Sequence, residues 1–100
     1  MPYRLTRAAD DDAFDIVRSA AKFSPRLARV VDAELNELLE RIGETPGIGA
    51  KKPHITPHPY RFKLFRDYYW IVYQDAPKGE MVSIVRILSV HEDLLASLLK

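Results

Sequence analysis

The chain has 100 residues, 47% of them hydrophobic and 29% charged, with a formal net charge of +1 and no cysteine. That length sets an expectation of one domain, and the composition is that of a folded chain able to bury roughly 65% of its unfolded surface. Absence of cysteine excludes disulfides, thiolate metal sites and cysteine nucleophiles. Lysine plus arginine numbers 15 against 14 acidic residues, so the chain is not a globally basic binder that gains affinity by neutralising phosphates. The signs are unevenly placed. Residues 1–46 hold seven basic and nine acidic side chains, and residues 47–100 hold eight basic and five acidic, which permits a local basic face in the second half.

In chain order, Pro2–Arg7 alternates Tyr3 and Leu5 with Arg4 and Thr6, which predicts a short strand. Thr6 sits at an N-cap position ahead of the acidic run Asp10–Asp12, and acids in a first turn favour the positive end of a helix. Ala9, Ala13, Ile16, Val17, Ala20 and Ala21 recur at helical spacing, predicting a helix over about 8–22. Asp10, Asp11, Asp12 and Asp15 in this region argue against a secretory signal, and no apolar run approaches a membrane span. A cytoplasmic protein without membrane contact is expected.

Ser24-Pro25 predicts a second helix start, with serine as cap and proline where its missing N–H is harmless. Leu27, Val30, Val31, Leu35, Leu38, Leu39 and Ile42 form its apolar stripe, and Gly43 with Pro46 predicts the stop. Two helices so closely joined should form an antiparallel hairpin. Residues 45–59 carry six Pro or Gly breakers and predict a loop. Tyr60–Arg66, Tyr68–Gln74 and Met81–Ser89 then read as three strands of an antiparallel meander, with a turn through Asp67. The tail His91–Leu99 has leucines at helical spacing but is too short to be helical unless packed. The expected class is α+β, with the hairpin on one face of the sheet.

This order, with the opening PYRLTRAA, the helix end LNELLERIGETPGIG, the strand YYWIVYQ and the closing IVRILSVHEDLLASL, resembles the RelE/ParE superfamily of bacterial type II toxin–antitoxin toxins. The resemblance covers nearly the whole chain. Its pieces are a P-x-x-G segment at Pro46–Gly49, a strand ending Ile71-Val72-Tyr73, and Ile84–Leu88 followed by Asp93-Leu94. RelE-like members are ribosome-dependent mRNA endoribonucleases; ParE-like members inhibit DNA gyrase and lack the nuclease residues. The acidic first helix, the P-G-x-G segment and the VRIL ending place this chain nearer ParE.

RNA cleavage by 2′-OH attack needs a base, an acid and cations for the developing phosphate charge. The candidates for that chemistry are Arg61, Lys63, Arg86 and His91, with Lys51, Lys52 and Arg66 as further cations. Trp70 stands where the nucleases commonly carry an arginine, and no tyrosine follows Tyr73. Each candidate also has a plainer reading: Arg86 as an ion-paired arginine, His91 as a helix-start residue, Arg61 and Lys63 as a solvated sheet face, Lys51 and Lys52 as loop charges. His54 and His58 are four apart, but the prolines around them preclude a shared helical metal site. No phosphate-cradling loop is present, and no cofactor or metal is expected. Tyr68, Tyr69, Trp70 and Tyr73 could stack bases or pack across strands.

The resemblance implies an antitoxin whose tail folds onto the toxin, with a helix over the hairpin and extended segments near the sheet. Val30, Leu38, Leu94, Leu95 and Leu98 are the apolar residues expected to meet it, although the tail leucines could instead close the core. The expected partners are therefore the antitoxin and DNA gyrase, with the ribosome and mRNA as the alternative. A third reading is a non-toxic relative that only binds protein.

Overall fold

A computed structural model describes residues 3–53, 55–56, 58–76 and 80–98. The elements are β1 (Tyr3–Leu5), α1 (Arg7–Ala21), α2 (Pro25–Glu44), a 3-10 turn (Pro46–Ile48), β2 (Ala50–Lys51), β3 (Tyr60–Phe65), β4 (Tyr69–Gln74), β5 (Val82–Ser89) and α3 (Leu94–Leu98). The class is α+β, and the meander of β3, β4 and β5 is antiparallel.

Both helix starts follow the capping chemistry. Thr6 Oγ1 accepts from Ala9 N at 3.1 Å, and Ser24 Oγ accepts from Leu27 N at 2.9 Å. Gly43 does not stop α2: the helix runs one residue further, to Glu44, and Thr45 is its C-cap. Glycine weakens a helix interior without forbidding it, and Pro46 supplies the actual barrier by lacking an N–H. The breaker-rich segment is also not all loop, because Ala50 and Lys51 pair with Phe62 and Arg61 as an edge strand.

The five strands are ordered β1-β5-β4-β3-β2. β1 lies parallel to β5, with Tyr3 opposite Val82 and Leu5 opposite Ile84. β1 is short, so β5 outruns it, and Thr6 and Asp12 continue its ladder. Thr6 N donates to Ile84 O at 3.0 Å, and Thr6 Oγ1 donates to Val85 O at 2.8 Å. Further along, Asp12 Oδ2 accepts from Ile87 N at 2.9 Å. Otherwise exposed edge groups of β5 are thereby paired, which removes a template for another strand. Val85 is the extra residue of a bulge, since the register shifts between Val72 and Tyr73.

The main core sits between the hairpin and the sheet: Ile16 and Ala20 from α1, Val31, Leu35, Leu39 and Ile42 from α2, and Ile71, Tyr73, Ile84 and Ile87 from the strands. Val30, placed on the apolar stripe by spacing, is instead 41% exposed. The opposite sheet face holds a smaller cluster of Phe62, Val72 and Leu88, against which Ile55, Trp70, Leu94 and Leu98 pack. α3 is one turn and a half long and would not persist without that packing. No helix among the described residues is long and apolar enough to cross a membrane.

Candidate functional site

The segment after α2 is fastened to the sheet by two side chains. Tyr73 is fully buried on β4, and its hydroxyl donates to Pro46 O while accepting from Gly49 N at 2.8 Å. Burial raises the Tyr73 pKa above its ordinary 10.0, which holds the hydroxyl in the neutral form that can donate. Gly49 is required by this approach. An added Cβ would overlap Tyr73 Oη and stand 2.8 Å from ring atoms Cε1 and Cζ. Arg61 completes the fastening: its Nη1 donates to Gly49 O at 2.9 Å, and its Nε contacts both Asp75 oxygens at 3.0 Å.

Arg86 is held as firmly. Its Nε donates to Asp12 Oδ2 at 2.8 Å and its Nη2 to Asp12 Oδ1 at 3.2 Å, a two-point contact across from α1. The hydrogen bonds it donates to Asp12 raise the Arg86 pKa further, ahead of the opposing effect of burial. Asp12 therefore does more than favour the helix start: it joins α1 to a β5 side chain and to a β5 backbone amide. Its dual role depends on a contact between residues 74 apart, which no local pattern announces.

The four nuclease candidates have separate settings. Arg61 pairs with Asp75 and bonds Gly49 O, and Arg86 pairs with Asp12. Lys63 lines a cavity of about 320 Å³ with Glu34, Glu37, Leu38 and Arg66. His91 is exposed in the turn after β5, where its backbone N–H donates to Ser89 Oγ at 3.2 Å. It does not start the tail helix. Asp93 does, accepting from Ala96 N at 3.3 Å. Cations already paired with carboxylates have little charge left for a developing phosphate oxyanion.

The remaining candidates also separate. Lys52 Nζ stands 5.0 Å from the centroid of the Trp70 ring, a cation–π contact. Tyr69 packs in the main core and Tyr68 is exposed, so the aromatic run does not form one stacking platform. His58 lies 5.4 Å from Tyr60, centroid to centroid, while His54 falls outside the described residues. Among the described residues no three His, Asp or Glu side chains gather as a metal-ligand set.

Of the apolar candidates, Val30 is exposed on α2 and Leu38 borders the cavity that Lys63 lines. Leu94 and Leu98 are half-buried against the Phe62 cluster. The side chain of Leu95 lies outside the described residues, as does Leu99. Spacing did not single out the other exposed apolar groups: Phe14 is 66% exposed, Phe23 84% and Tyr68 63%. Phe23 and Tyr68 come from different turns yet line one hollow of about 380 Å³ with Leu27 and Val31.

Comparison with known proteins accords with this arrangement. The family model "ParE toxin of type II toxin-antitoxin system, parDE" matches residues 3–94. A solved structure described as a chromosomal ParDE toxin–antitoxin system from P. aeruginosa shares the fold with a TM-score of 0.72 and 22% identity. That match covers 91% of this chain and 97% of the other. No curated protein matches the chain in sequence. The matched span takes in β1, both helices, the Tyr73–Gly49 fastening and the Arg86–Asp12 pair, and the chain belongs to the family of ParE toxins of type II toxin–antitoxin systems.

Proposed function

We propose that this toxin arrests growth by binding and inhibiting DNA gyrase, and that a cognate antitoxin keeps it silent by folding onto its surface. The observation that carries the reading is the family match over residues 3–94. The geometry supports it. A toxin that acts by binding needs exposed recognition surface, and this chain exposes Phe14, Phe23, Val30, Leu64 and Tyr68. Its two best-placed arginines, meanwhile, are each held in an ion pair, with Asp75 and Asp12. Val30 and Leu38 on α2 are proposed contacts for the antitoxin. Leu94, Leu95 and Leu98 are proposed to contribute from the tail, where Leu94 and Leu98 also support the second cluster. The cytoplasm, where gyrase works, is the proposed site of action.

A supercoiling assay with purified toxin and gyrase tests this. Supercoiling should fall as toxin is added and recover when the antitoxin is supplied. Unchanged gyrase activity at excess toxin, with mRNA cut at the ribosomal A site, would overturn it in favour of the nuclease reading.

A further inference from the structure

The sheet ends on a basic edge. Residues 45–66 hold five lysines and arginines and no acid, whereas 14 acids in 100 residues would put about three in a stretch of that length. The fold gathers this stretch at one side of the molecule. β2 is the last strand of the sheet, and it covers β3 only at Arg61 and Phe62, so β3 is itself the edge from Lys63 onward. Two of the five cations are engaged: Arg61 holds Asp75, and Arg66 holds Glu34. Lys51, Lys52 and Lys63 are in no ion pair among the described residues. One further acid, Glu37, lines the hollow beside Lys63, together with Arg41. The pleat sets the direction of the three lysines. Lys51 lies opposite Arg61, and Lys63 follows Arg61 by two residues, so Lys51 and Lys63 share the hairpin-bearing face, spaced by about 7 Å along the edge. Lys52 turns to the other face, where its Nζ sits over Trp70. The three ammonium groups therefore straddle the edge. Lysines on an edge also deter a further strand, but that role does not require surroundings free of acid.

A row of unpaired cations without acids complements a polyanion, and the neighbouring rings say which kind. Trp70 is engaged by Lys52 and by the edge of Phe62, and Tyr60 lies against His58. The edge thus presents charge rather than a row of free rings for unpaired bases to stack on. Charge without stacking suits the phosphate backbone of a duplex. We infer that the β2–β3 edge contacts the backbone of duplex DNA held by gyrase, through Lys51, Lys52 and Lys63. The inference rests on the gyrase reading above and adds a second component to the target, the DNA itself. Three lysines on a chain of net charge +1 make a weak contact alone. Joined to a protein contact on the same enzyme, it acts at high effective concentration and strengthens the whole.

Fluorescence anisotropy with a short labelled DNA duplex at low salt tests the contact in the purified toxin. The wild type should bind, and the logarithm of its binding constant should fall against the logarithm of salt with a slope of about −3. Lys51→Gln, Lys52→Gln and Lys63→Gln together, with folding checked by circular dichroism, should weaken duplex binding by about tenfold or more and flatten that slope. The same variant should need about tenfold more toxin to inhibit supercoiling, while its binding to gyrase without DNA is unchanged. Lys22→Gln, Arg26→Gln and Arg29→Gln together remove equal charge from the far turn of the hairpin and should alter duplex binding by less than about threefold. No duplex binding by the wild type, or an equal loss in both triple variants, overturns the edge assignment and leaves the gyrase reading standing. Tighter binding to single-stranded RNA than to the duplex overturns it in favour of the nuclease reading. Duplex binding with no effect on supercoiling overturns the gyrase reading, and the inference with it.

Discussion

Replacing Gly49 with alanine should destabilise the toxin by about 3 kcal/mol, and the figure can be built from the contacts. The new methyl would stand 2.8 Å from Cε1 and Cζ of Tyr73. An ordinary carbon–carbon contact lies near 3.5 Å, and the overlap with Tyr73 Oη is closer still, so the turn must retreat by at least about 0.7 Å. Tyr73 cannot yield instead, because it is wholly enclosed by the main core. A retreat of that size stretches the Gly49 N–Tyr73 Oη bond from 2.8 Å to the limit of hydrogen bonding and strains the bond to Pro46 O. Overpacking costs about 1–3 kcal/mol, and each weakened bond adds about 0.5–1.5 kcal/mol. The stiffer unfolded chain returns about 0.4–1 kcal/mol.

Urea unfolding at constant slope measures the difference, and the melting temperature should drop by roughly 10–20 °C. Gly47→Ala, two residues earlier, is the control. Nothing lies within 4 Å of its added Cβ, so it should be neutral or stabilising by up to about 1 kcal/mol. In a Tyr73→Phe background the cost of Gly49→Ala should shrink, because the hydroxyl and its bonds are already gone. A Gly49→Ala protein within about 0.5 kcal/mol of wild type would refute the idea that Tyr73 fixes this turn.

Tyr73→Phe alone leaves the Gly49 amide and the Pro46 carbonyl without their partner and should cost about 1–3 kcal/mol by the same urea measurement. The raised Tyr73 pKa fixes a pH dependence. The folded protein keeps the phenolic proton that the unfolded chain releases near pH 10.0, so stability is intact below that value and falls as pH rises beyond it. Denaturation series on either side of that pH should show a smaller loss in Tyr73→Phe. Asp12→Ala strips Arg86 of its counter-charge and Ile87 of its acceptor, and should cost about 2–4 kcal/mol; Asp12→Asn, which can still accept from Ile87 N, should cost less. Asp67→Gly should stabilise by about 0.5–1 kcal/mol on thermal unfolding. Arg66 and Asp67 hold φ of 53° and 58°, the left-handed conformation that glycine adopts freely.

Local chemistry carried the helices into view. Thr6, Ser24-Pro25 and the leucine stripe of α2 depend only on near neighbours, and their capping bonds are where spacing placed them. Pairings between distant segments were not legible in the same way. Nothing in Tyr3–Leu5 says that it lies parallel to Val82–Ile84, and nothing in Ala50-Lys51, between glycine and proline, says that it pairs with β3. The candidate site divides likewise. Arg86 could be read as an ion-paired arginine from its apolar neighbours, but its partner needed the fold. Tyr73 looked like a packing or stacking aromatic, since the carbonyl and amide that occupy its hydroxyl lie 27 and 24 residues earlier.

The parallel pairing of β1 with β5 bears on when the toxin comes into being during its own synthesis. The first strand made is completed by the last, and Asp12 waits for an arginine 74 positions later. A nascent chain that has emerged only through β4 can form its helical hairpin from local contacts. It has no strand for β1 to join, no amide for Asp12 to accept, and no second cluster for α3 to cover. Closing such distant contacts is the slow part of folding. The complete sheet, and any surface that depends on it, is thus reached only after the last strand has been made.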